Sequence, residues 1–111
     1  MKVSTEKHDR YAIVRLEGNL DGQTAPSMQE KILSLIETHK NILMDVSQVE
    51  YMSSAGLRVM LLLYRQAKAH DGKAVLVGLS ESIKETMEIT GFLNFFTLSD
   101  TEEEGLKIVN T

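Results

Sequence analysis

One stretch of this 111-residue chain gathers groups suited to handling an anion: Asp45-Val46-Ser47-Gln48-Val49-Glu50-Tyr51-Met52-Ser53-Ser54-Ala55-Gly56-Leu57-Arg58. An apolar run ends in an acid, and a short connection leads to two adjacent serines directly before a helical pattern. The first N–H groups of a helix have no partner within it, and its aligned peptide dipoles place about half a positive charge there. A phosphate is therefore favoured at such a corner. Gly56 allows close packing or close approach of another group. A serine before a helix serves equally well as an N-cap, worth about 1 kcal/mol. On spacing alone both roles remain open for Ser53 and Ser54.

The elements that must position this corner follow from periodicity. Tyr11 to Glu17 reads as a strand, with Val3 to Lys7 as a weaker partner across the turn His8-Asp9-Arg10. Gly18-Asn19-Leu20-Asp21-Gly22 breaks that pattern. Thr24 is placed to cap a helix with Pro26 in its first turn and Met28, Ile32, Leu35 and Ile36 as its buried stripe. Asn41 to Val46 is a strand covered on both faces, with Asp45 at its C-terminal end and Ser47 to Ser53 as the turn that follows. A helix from about Ser54 to His70 stops at Asp71-Gly72, and Ala74 to Leu79 is another buried strand. Ser80 caps a helix carrying Ile83, Met87 and Ile89 and closed by Gly91. A short strand at Phe95 to Leu98 and a helix from Thr101 to Val109, opened by three glutamates, complete the chain. Strands alternating with helices predict an α/β fold: a four- to five-stranded mixed sheet, largely parallel, with about four helices mainly on one face. A single domain over residues 1–111 is expected.

Within the helix after Ser54, Val59, Met60, Leu63, Tyr64 and Ala67 form one apolar face at 3.6-residue spacing. Leu61 and Leu62 fall toward Arg58 and Arg65. Arg58 and Leu62 are thus candidates for a partner surface beside the serines.

Composition narrows the function classes. The formal net charge is -4 and the basic residues are scattered, which leaves no cationic face for nucleic acid. The absence of cysteine removes disulfides, thiolate catalysis and the usual zinc sites, and the cytoplasm is the expected compartment. The longest apolar run, Val59 to Tyr64, is too short to span a bilayer, so no direct membrane insertion is expected. His8, His39 and His70 show no metal-ligand spacing, and neither a Walker loop nor a Gly-x-Ser-x-Gly elbow occurs. No enzyme, cofactor or metal is expected.

The stretch from Asp45 to Arg58 resembles the signature of the bacterial STAS anti-sigma factor antagonists: an aspartate and serine, a spacer, a hydrophobic residue, small polar residues, then Gly-Leu at a helix start. Gly18-Asn19-Leu20-Asp21 with Thr24-Ala25 resembles the family's early Gly-x-Leu-Asp segment, so the likeness runs over nearly the whole chain. It implies that Ser54, two positions before the glycine, accepts phosphate from a partner that is both anti-sigma factor and serine kinase, with a histidine-kinase-like ATPase fold. It implies further that the unphosphorylated protein binds that kinase and releases its client, and that a PP2C-type phosphatase restores the active form. Asp21 and Asp45 are implied to be acidic neighbours of the acceptor; Asp21, Ser53, Ser54 and Gly56, together with Arg58 and Leu62 from the helix face, are expected to form the partner-binding surface. Many members carry aspartate where this chain has Ser53 and Ser or Thr where it has Ala55, which makes Ser53 the alternative acceptor.

Two other functions fit a chain of this family. One is an accessory subunit clamped to an ABC-type lipid transport complex; the other is a nucleotide-sensing module. Co-purifying partners separate the first from a kinase-controlled switch, and nucleotide titration addresses the second.

Overall fold

The computed structural model describes residues 1–110. Its order is β1 (Lys2–Lys7), β2 (Ala12–Leu20), α1 (Ala25–Ile36), β3 (Ile42–Met52), α2 (Ser54–Ala69), β4 (Ala74–Val77), α3 (Glu81–Ile89), a 3-10 turn (Phe92–Phe95), β5 (Thr97–Ser99) and α4 (Glu102–Val109). The five strands lie side by side in chain order. β1 and β2 form an antiparallel hairpin, and the remaining pairs are parallel. The sheet is therefore mixed, as the half-polar first strands and the apolar later ones predict.

Side-chain alternation divides the core in two. Val14, Leu16, Ile42, Met44 and Leu76 point to one face and pack with Met28 and Ile32 of α1, Met60 and Leu63 of α2, and Ile83 and Met87 of α3. Ile13, Leu43, Val75 and Val77 point to the other face, where Val109 of α4 covers them. Three helices thus share one layer and α4 alone lies behind. Arg15 clasps α4 to the sheet, donating through Nε and Nη2 to both carboxylate oxygens of Glu102.

The expected turn at Ser47 to Ser53 is strand. β3 runs on to Met52, and β2 likewise continues through Gly18 to Leu20. Pairing slips between Arg15 and Glu17 and again between Gly18 and Asn19, each time placing one extra residue on β3. The inward residues are consequently Ile42, Met44, Val46, Val49 and Met52, so the spacing changes from two to three after Val46. A β-bulge produces that slip, and it hides the strand from a period-2 reading. Gly18 takes φ +111° at this place, a conformation that suits glycine.

Three further expectations need correction. Ile89 is 79% exposed and is not part of the α3 stripe formed by Ile83 and Met87. Thr24 makes no cap bond, because its own backbone is already helical (φ -95°, ψ -23°). The last strand begins at Thr97, since Phe92 to Phe95 coil into the 3-10 turn. There Phe95 and Phe96 pack against Tyr64, a half-buried residue at the margin of the α2 face predicted as core.

Candidate functional site

β2 and β3 end together, with Leu20 opposite Met52 as the last pair. The Ser53 N–H then donates to the Leu20 carbonyl at 2.9 Å, and α2 begins at the next residue. β2 leads into the turn at 21–24 that starts α1. Both helices therefore spring from the same end of the sheet, with their positive dipole ends at one corner.

The two serines have different duties. Ser53 is the N-cap: its backbone is extended (φ -81°, ψ 178°), its Oγ accepts from the Gly56 N–H at 3.4 Å, and its carbonyl accepts from the Leu57 N–H at 2.9 Å. Ser53 is half-buried, whereas Ser54, the first helical residue, is exposed. The amides of Ser54 and Ala55 precede the helix's own hydrogen-bond ladder and remain open to a ligand.

Gly56 is buried, and a Cβ there would stand 2.5 Å from the Leu20 carbonyl oxygen and 2.8 Å from Cγ of Met52. It seats the first turn of α2 against the ends of both strands. Any contribution of Gly56 to a partner surface is thus through the position it gives Ser54.

Asp21 directly follows Leu20 and belongs to this corner. Its Oδ1 accepts from the N–H groups of Gln23 (3.0 Å) and Thr24 (3.2 Å), the chemistry of an Asx turn. The Thr24 hydroxyl answers by accepting from the Asp21 N–H at 2.9 Å and donating to the Asn19 carbonyl at 3.0 Å. This reciprocal pair replaces the cap expected of Thr24 alone.

Asp45 is elsewhere, contrary to its expected place beside the acceptor. It holds Ser47 through the backbone N–H (3.0 Å) and the hydroxyl (2.7 Å) and lines a hollow with Lys2, Arg15, Glu17 and Gln48. Alternation after Met44 turns it to the face away from α1 and α2. With about 3.3 Å of rise per residue, the stretch of β3 from Asp45 to Met52 covers roughly 20 Å. That exceeds the screening length of about 8 Å in physiological salt. The bulged extension of β3 is what carries the serines away from it.

Arg58 is exposed and lines a shallow groove with Gly22, Pro26, Gln29 and Glu30 of the facing α1 segment and with Ala55. Leu61 and Leu62 are half-buried. Ser54, Arg58 and Leu62 follow one another at four-residue intervals along the outer side of α2. The α1 wall of the groove and Tyr51, 55% exposed just before the serines, were not legible as site residues. The register slip in β3 obscures Tyr51, and only the tertiary pairing of the two helix starts brings α1 to α2.

With this geometry in view, comparison with known proteins gives the class. A model of the STAS domain matches residues 2–105, and the chain belongs to the STAS domain family. It is 31% identical over 104 residues to BtrV of Bordetella bronchiseptica, a candidate anti-sigma factor antagonist, covering 93% of this chain and 90% of the relative. It is 27% identical over 107 residues to the anti-sigma-B factor antagonist of Bacillus subtilis, covering 96% and 98%. The unphosphorylated form of the anti-sigma factor antagonist SpoIIAA has the same fold, with a TM-score of 0.80 at 22% identity and 98% of each chain covered. The phosphorylated form of Bacillus SpoIIAA gives 0.78 at 22% identity, covering 97% of this chain and 99% of that one.

Proposed function

We propose that this protein is an anti-sigma factor antagonist that acts as a phosphorylation-controlled binding partner. With its Ser54 hydroxyl free it binds a serine-kinase anti-sigma factor of the histidine-kinase-like ATPase fold and releases that protein's client. Phosphate on Ser54 ends the binding, and a PP2C-type phosphatase removes it. The observation that carries this reading is the contrast between the serines: Ser53 is committed to the cap of α2, while Ser54 is exposed at the first helical position. The names of the relatives support the antagonist role, and the existence of SpoIIAA in two phosphorylation forms supports the switch.

In the transfer, Ser54 Oγ attacks the γ-phosphorus of ATP held by the kinase. The Oγ–P bond forms, the bond to the β-phosphate oxygen breaks, ADP leaves, and the hydroxyl proton passes to a base of the kinase. The product carries about -1.5 to -2 charges within the corner that Asp21 already makes acidic. A partner closing over it meets added bulk, like charge and a desolvation cost, and a tenfold loss of affinity needs only about 1.4 kcal/mol.

The test is to incubate wild type, Ser54→Ala and Ser53→Ala with the cognate kinase and ATP and to weigh the intact proteins. Phosphate on wild type and Ser53→Ala but not on Ser54→Ala is expected. Phosphate on Ser54→Ala but not on Ser53→Ala would move the acceptor to Ser53. No phosphate on wild type, together with co-purification of a transporter ATPase, would replace the switch with the clamp.

A further inference from the structure

Four residues beyond Ser54 stands a cation with no task in the folded chain. Among the described residues Arg58 makes no hydrogen bond or ion pair, although Glu30 lines the same groove. It lies in the N-terminal half of α2, where the helix dipole gives it no support. Glu30 of α1 is the other charged residue of that groove, and Arg65 stands two turns further along α2. Asp21 and Glu50 line a separate polar hollow with Glu17 and Met1.

We propose that Arg58 is the internal receptor of the phosphate on Ser54, so that modification creates a phosphoserine–arginine pair along one exposed face of α2. The inference rests on Ser54 being the modified residue. Positions i and i+4 of a helix bring Cβ atoms within about 5–6 Å, and the favourable order has the anion on the N-terminal side. Ser54 and Arg58 have that spacing and that order. A guanidinium also matches phosphate with two parallel hydrogen bonds.

The consequence is a two-part off state. Without phosphate, Arg58 is available to an acidic group on the partner. With phosphate, the corner gains an anion and the partner loses its cation in one step.

The experiment uses the full chain with phosphoserine installed at position 54 by genetic encoding, titrated by phosphorus NMR as wild type, Arg58→Gln and Arg58→Lys. The open amides and the helix dipole are common to all three, so their effect cancels in the comparison. Arg58→Gln is expected to raise the second phosphate pKa by about half a unit, equivalent to about 0.7 kcal/mol. Arg58→Lys should restore most of the lower value, and salt at about 0.5 M should shrink the difference. Equal pKa values in wild type and Arg58→Gln would overturn the pairing. No kinase is used, so failure of a kinase to modify Ser54 counts against the proposed switch while this titration still decides the pair.

Discussion

Replacing Gly56 with alanine tests whether the seat of α2 fixes the corner. The new Cβ would lie 2.5 Å from the Leu20 carbonyl oxygen and 2.8 Å from Met52 Cγ, whereas carbon contacts settle near 3.5 Å. The methionine can turn aside, but the carbonyl is fixed at the end of β2 and also holds the Ser53 N–H at 2.9 Å. The start of α2 must withdraw by something on the order of 1 Å, and that hydrogen bond lengthens with it. Overpacking of this kind costs about 1–3 kcal/mol, and the weakened bond about 1 kcal/mol more. Alanine's better helix propensity returns up to about 1 kcal/mol, which leaves a net loss of about 2 kcal/mol. With a urea dependence of about 1.5 kcal/mol per molar for a chain of this size, the unfolding midpoint falls by about 1.3 M. Gly22→Ala is the control, because nothing lies within 4 Å of a Cβ there, and its midpoint should stay at or slightly above that of wild type. A Gly56→Ala midpoint equal to or above wild type, at unchanged slope, would refute the close-packing argument.

Leu62→Asp should weaken kinase binding at least tenfold, about 1.4 kcal/mol, with unchanged circular dichroism; equal affinity by calorimetry would remove this face of α2 from the interface. His8 and then Arg15 hold the Glu6 carboxyl below its ordinary value of 4.5. Because the folded value is the lower one, this contribution to stability is present above about pH 4.5 and fades as pH falls through the folded value. NMR titration should show the Glu6 midpoint rising in His8→Ala and, to a smaller extent, in Arg15→Gln; indifference to both changes would show that neither group acts on it.

The sequence makes much of the frame legible because its apolar residues obey simple periods. The stripe Met28, Ile32, Leu35, Ile36 marks α1, and the apolar run that begins at Ala74 marks a strand covered on both faces, although it ends at Val77 and not at Leu79. Ser80 performs the cap its position suggests, accepting from the Ile83 N–H. Thr101, read as the first residue of the last helix, is its N-cap and accepts from the Glu104 N–H. The end of β3 is illegible for a definite reason: two extra residues turn the inward spacing from two to three, and the segment then looks like a turn. The misplacement of Asp45 follows from these two slips. Shortening the strand in the mind brings an acid to the acceptor, whereas the real strand is long enough to separate them. Ile89 misleads in another way, since an apolar residue next to a helix end can face outward without penalty large enough to leave a mark in the pattern.

The strand order, sequential from β1 to β5, also bears on how the chain is made. As it leaves the ribosome, every new strand finds its neighbour already synthesised, and the layer of α1 and α2 can close over one face early. The other face differs. Ile13, Leu43, Val75 and Val77 have no cover until residues 102–109 emerge and Val109 is laid across them. A nascent chain stalled before that point presents a bare apolar strip on a nearly complete sheet, the kind of surface that draws in chaperones or other stalled chains. Docking of α4 is then the moment at which that strip is covered, and the Arg15 clasp on Glu102 acts as its latch.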